Sequence, residues 1–162
     1  MSRVLLAVLA IAMCHWCAFV SAETPDTVAE APTASRHDEA LARSLGADDY
    51  GMRRYVLAIL RTGPTPLPPG EERNAIFQGH FANMNRLAKE GKLVLAGPLD
   101  GVEGRRGIFV LAVSDIEEAR RLVATDPVIE KGEMVADLHT YYGSAALMTI
   151  NELHGKIAKN AM

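Results

Sequence analysis

The sequence predicts an α+β domain whose elements run β-α-β-β-α-β, with one further helix behind them. Three observations predict it. Four short apolar runs are rich in strand formers, two longer stretches space their apolar residues helically, and proline or glycine punctuates the joins.

The first strand is Tyr55–Leu60, an unbroken apolar run short enough for a buried strand. The segment Gly63-Pro64-Thr65-Pro66-Leu67-Pro68-Pro69-Gly70 stops it, because proline removes donors and disfavours helix before it. A helix follows over Glu71–Glu90, with Gly91 as its stop and Glu71 and Glu72 in the first turn, where acids suit the dipole. Ile76, His80, Met84 and Leu87 share one face, flanked by Phe77, Phe81 and Ala88, so His80 lies on or next to a buried stripe. Lys92–Ala96 is the second strand, ended by Gly97-Pro98, and Asp100-Gly101 with Gly104 forms a polar turn. Gly107–Val113 is the third strand. Ser114, with Glu117 three residues on, reads as a capping box for a helix over Asp115–Ala124, which Asp126-Pro127 ends. Beyond Gly132 comes a fourth strand, Glu133–Tyr142, and a last helix spans Ala145–Lys159. On the last helix Leu147, Ile150, Leu153, His154 and Ile157 form a stripe that covers the sheet edge, extends a dimer contact or packs on its own domain.

This order is the ferredoxin-like one: an antiparallel sheet with two helices on one face. The strands are apolar enough on both sides for the second face to need cover, and pairing two such sheets in a homodimer is the simplest solution. A small cavity between the sheets is then the natural ligand site.

Ahead of the domain, Arg3, the apolar run Val4–Met13 continuing to Val20, and the small-residue site Val20-Ser21-Ala22 make the three-part pattern of a signal peptide over 1–22. The expectation is an exported, periplasmic protein with no membrane contact after cleavage. A membrane anchor is the alternative, but the run is barely long enough to span and no stop-transfer charges follow. Cys14 and Cys17 both lie in this leader, so the mature chain has no thiol nucleophile, disulfide or cysteine–zinc site. Residues 23–49, rich in Ala, Thr, Pro, Glu and Asp, read as a flexible linker with at most a short helix near Arg36–Leu45, which leaves 50–162 for the domain and its helical extension. A net charge of -3 gives no basic excess for nucleic acid.

The assembled stretches resemble the YciI-like (YCII-related) family. They are Tyr55-Val56-Leu57-Ala58, Gly79-His80-Phe81, the run Gly91–Pro98, Glu117-Glu118-Ala119 and Thr125-Asp126-Pro127. The resemblance covers about 54–142, and the tail Leu138–Leu147 looks like a secreted subgroup of that family. It implies a dimeric α+β barrel and a His–Asp dyad, which maps onto His80 and Asp126.

A carboxylate beside an imidazole fixes its tautomer and raises its basicity, which suits a general base. Against this, a histidine on an apolar stripe is often a satisfied core residue, and aspartate before proline often only caps a turn. On the fourth strand Val135, Asp137, His139 and Tyr141 share one face, and Met134, Ala136, Leu138 and Tyr142 the other. If the first set lines the barrel, His139 joins the pocket, and Tyr141 or Tyr142 adds a phenol. Gly97 could offer a backbone amide to a ligand anion. Arg105 and Arg106 either bind an acidic substrate at the cavity mouth or are solvated. His80, His139 and Asp126 make a conceivable metal set, but no H-x-x-x-H spacing supports it, so neither metal nor cofactor is expected. The reading is a cofactor-free lyase or isomerase acting on a small organic substrate, with catalytic His80 and Asp126 and substrate-binding His139, Tyr142 and Gly97. The alternative is a non-catalytic periplasmic ligand-binding or structural dimer module.

Overall fold

The computed structural model describes residues 37–160; the expected signal peptide and most of the expected linker lie outside the described residues. The helices are α1 (Glu39–Ser44), α2 (Glu71–Lys89), α3 (Ile116–Ala124), α4 (Pro127–Glu130) and α5 (Ile150–Ile157). The strands are β1 (Met52–Thr62), β2 (Leu93–Pro98), β3 (Arg105–Leu111) and β4 (Met134–Ser144). The strands form one antiparallel sheet in the order β2-β3-β1-β4, the ferredoxin-like arrangement.

Strand alternation sorts the apolar residues into two layers. Val56, Ala58 and Leu60 of β1 and Phe109 and Leu111 of β3 face the helices and pack with Leu87, Ala119, Val123 and Val128. Each large apolar side chain buried there is worth about 1.5–3 kcal/mol. On the opposite face Tyr55, Val94 and Val110 lie beneath Leu147 and Met148, which a 3-10 turn over Ala145–Thr149 delivers. The Tyr55 hydroxyl donates to Ser144 O at 2.9 Å, and Asn151 Nδ2 donates to Leu93 O at 2.8 Å, pinning the C-terminal segment there.

Several elements differ from the sequence reading. The cap of α3 is Asp115, not Ser114: its carboxylate accepts from Glu117 N at 3.3 Å and Glu118 N at 2.9 Å, so the helix starts at Ile116. Asp126 does not end in a plain loop but caps α4, with Pro127 preset for the first helical position. The last helix is broken into the 3-10 turn and α5, because Ala145 N is drawn to Gly51 O at 2.9 Å and Ser144 Oγ accepts from Ala146 N at 3.2 Å.

The stretch 37–49, read as linker, carries α1 and an ordered turn. Asp38 caps α1, Asp48 Oδ1 accepts from Tyr50 N and Met52 N at 3.0 Å, and Arg53 Nη1 donates to Leu45 O at 2.8 Å. α1 falls within Arg36–Leu45, where a short helix is expected, whereas the turn after it rests on polar bonds with no apolar period, so composition does not reveal it.

Candidate active site

The inward stripe of α2 places His80 on the helix face of the sheet, against the ring of Phe109. The two rings stack at 5.9 Å with an interplanar angle of 19°. Phe77 meets the imidazole edge-on at 5.9 Å, and Phe81 lies 5.5 Å away on the same helix. Packing on these sides holds the ring in one orientation.

Asp126 reaches the imidazole because α4 begins where α2 can touch it. The residue before His80 is Gly79, and a Cβ there would fall 2.9 Å from Pro127 Cγ. Only glycine allows that approach without a shift of one helix. Asp126 has extended backbone, and its Oδ1 accepts from Val128 N at 3.1 Å. Its Oδ2 lies 2.8 Å from His80 Nδ1. Both residues are buried, His80 at 7% exposure and Asp126 at 0%.

A carboxylate only accepts, so Nδ1 carries the hydrogen and donates it. In the neutral ring the lone pair is then on Nε2. Among the described residues Nε2 has no hydrogen-bond partner, and it is not among the sealed, unsatisfied atoms. His80 lines a cavity of about 300 Å³ between α2 and the sheet, together with Phe81, Gly97 and Phe109. The imidazole, its carboxylate partner and an apolar chamber therefore occur side by side.

A second polar cluster braces this chamber. Glu133, 1% exposed, accepts from Arg73 Nε at 2.9 Å and Nη2 at 2.8 Å through Oε1, and from Leu67 N at 2.5 Å through Oε2. Burial alone would raise its carboxyl, but the bonds from Leu67 and Arg73, with the charges of Arg73 and Arg106, hold it below its ordinary value. The Arg73 guanidinium also lies 4.7 Å over the Phe77 ring, so the brace touches the residue that flanks His80. On the other side, Asn83 Oδ1 accepts from Arg86 at 2.7 Å and from the Thr125 hydroxyl at 3.1 Å, steadying the residue before Asp126. Asn83 Nδ2 is buried without a partner.

The expected site residues divide. His80 and Gly97 line this cavity, and Asp126 lies behind His80, bonded to its Nδ1. His139 does not: its strand partner Leu57 packs on the face away from the helices, while its neighbour Leu138 packs with the helix core. His139 is exposed on that opposite face, so the conceivable set of His80, His139 and Asp126 is not assembled. Tyr142 sits at the far end of β4, where its hydroxyl donates to Asp48. That bond lowers the Asp48 carboxyl and raises the Tyr142 phenol from their usual values.

The His–Asp chamber lies under α2, because the apolar stripe that carries His80 must face the sheet it packs on. Sequence reasoning missed Glu133, Arg73, Asn83 and Phe109 as parts of the site. Of these only Phe109 had a signal, as the one aromatic in the third strand.

An α+β sheet of ferredoxin-like order with a buried His–Asp pair beside an apolar cavity defines the class of domain. A model of the YCII-related domain family matches residues 54–138, just over half of the chain, and spans both His80 and Asp126. The chain belongs to the YCII-related domain family. No match is found among curated proteins.

Proposed function

We propose that this domain is a cofactor-free lyase or isomerase in which His80 moves a proton on a small organic substrate and Asp126 orients the ring. The observation that supports it best is the 2.8 Å bond from Nδ1 to buried Asp126, which leaves Nε2 as the nitrogen that a ligand in the cavity would meet. In such a step Nε2 takes a proton from a substrate carbon. The freed pair shifts toward a neighbouring carbonyl or expels a leaving group, and Nε2–H returns the proton. Phe77 and Phe109 pack against the ring and make its surroundings apolar. The proposed setting is the periplasm, on the strength of the leader pattern in residues 1–22.

Nitrogen NMR of the imidazole, with and without Asp126→Asn, tests the dyad. The expected spectrum has Nδ1 protonated and Nε2 bare in the native chain, with the preference weakened in the variant. A ring whose tautomer ignores the substitution refutes the dyad. For turnover, carbonyl compounds are incubated in deuterated water, and exchange or elimination is expected with the native chain and absent in His80→Gln of intact fold. Ligand binding without exchange would favour a non-catalytic binding module.

We also propose self-pairing across the sheet face opposite the helices. The Ala145–Thr149 turn covers only the Tyr55, Val94 and Val110 region. Leu57, Ile59, Ile108 and Val135 stay half-buried on the remaining surface, which offers a second copy an apolar strip. Sedimentation equilibrium should return a dimer; a monomer at high concentration refutes it.

A further inference from the structure

The cavity beside His80 has one charged side chain in its lining, and its presence there needs an irregularity in β3. In the ladder with β1, Leu60 pairs Gly107 but Arg61 pairs Arg105, so Arg106 is the extra residue of a β-bulge. Regular alternation would send Arg106 to the same side as Ile108 and Val110, on the face away from the helices. The bulge re-aims it, and Arg106 lines the chamber with His80, Met84 and Phe109. Bulges of this kind recur beside active sites, where they redirect a side chain.

Arg106, half-buried as a residue, also differs from its neighbours in what it lacks. Arg61 is paired with Asp137 at 2.7 Å, Arg105 with Glu103 at 2.5 Å and Arg73 with Glu133 at 2.8 Å. Among the described residues the Arg106 side chain makes no hydrogen bond or ion pair, while its backbone oxygen accepts from Leu99 N at 2.9 Å. Glu133 feels its charge, but both carboxylate oxygens of Glu133 are already taken by Arg73 and Leu67. A cation held in an otherwise apolar chamber, with its donors unspent, is matched by a planar carboxylate, which accepts two parallel bonds from guanidinium. The remaining lining, such as Phe81, Pro98 and Met134, suits an apolar ligand body.

We propose that Arg106 is the anion-binding residue of this cavity and that its ligand is a small organic carboxylate with an apolar ring or chain. The carboxylate pairs with Arg106 while the body lies along Phe81 and Phe109, toward Nε2 of His80. This rests on the reading of the same chamber as a ligand site, and it adds the ligand's charge and the residue that reads it.

The probes are benzoate and its neutral isostere benzamide, titrated into the full chain and followed by amide shifts of Phe81, Gly97 and Phe109. Benzoate is expected to saturate these shifts and to bind roughly tenfold or more tighter than benzamide, the ratio implied by one charge-assisted hydrogen bond. Arg106→Gln should remove that preference, and Arg106→Lys, which keeps the charge without the fork, should retain part of it and serves if the first variant misfolds. Equal binding of the two probes, no saturable shift from either, or a benzoate preference that survives Arg106→Gln overturns the proposal. Failure of the dyad reading is a separate result: the ring tautomer ignores Asp126→Asn while benzoate still binds through Arg106.

Discussion

Gly79→Ala isolates the contact that brings the two site residues together. An added Cβ would sit 2.9 Å from Pro127 Cγ, an atom of a stiff ring that cannot swing aside. Ordinary carbon–carbon contact needs about 3.5–4.0 Å, so α2 and α4 must part by about 0.6–1 Å. If the His80–Asp126 bond absorbs that, it stretches from 2.8 Å to well past the ~3.2 Å limit of a good hydrogen bond. If the helices stay, the overpacking costs about 1–3 kcal/mol. Against either stands the helix propensity that alanine gains over glycine, about 1 kcal/mol. The net is a loss of about 1 kcal/mol together with a disturbed imidazole. Gly155→Ala is the matched control, since a Cβ there, in exposed α5, meets nothing within 4 Å and only the propensity gain applies. Urea unfolding and nitrogen NMR of the His80 ring read the two effects. If Gly79→Ala gains stability as Gly155→Ala does and the ring signals stay put, α2 does not rest on Pro127 and the account of how the pair is assembled is wrong.

Glu133→Gln should destabilise the chain at neutral pH and flatten its acid response. The folded carboxyl lies below its ordinary value, so its contribution is complete above the unfolded value of about 4.3 and is lost as pH falls through the lower folded one. Urea unfolding on both sides of that window should show a larger drop for the native chain; equal drops would mean the carboxylate is not held by Arg73 and Leu67. Tyr142→Phe should let the Asp48 carboxyl rise toward its usual value, seen by carbon NMR of the side chain, and leave the His80 ring signals unmoved. His139→Ala should likewise leave both the ring tautomer and benzoate binding unchanged, and a shift in either would place the two histidines on one surface.

The periodicities that made β1, α2 and β3 legible in the sequence are local, and so was the list of chemistry-bearing residues. What they lack is the pairing between elements. The parity of β4 separated Met134, Ala136 and Leu138 from Val135, Asp137 and His139, but parity alone does not say which set meets the helices. Only the packing of Ala136 and Leu138 with the helix core decides it, and that decision sends His139 away from the site. The His80–Asp126 pairing entered through family resemblance, for a good physical reason: the distance depends on Gly79 and Pro127 touching across 48 residues of chain, which no local pattern encodes. Glu133 and Arg73 were invisible for the same reason, since a buried ion pair reads in sequence as two ordinary charges.

Arg106 is the sharpest instance. In the sequence it is one of two adjacent arginines just ahead of the third strand, read as solvated or as binding an acidic substrate at a cavity mouth; in the structure both lie on β3. The strand rule gives them opposite faces, and a single bulge breaks that rule at this residue. Arg105 finds Glu103 while Arg106 is turned into the chamber without a carboxylate of its own. A register irregularity beside the candidate base therefore carries more functional information than the regular ladder around it, because the regular ladder is explained by burial alone.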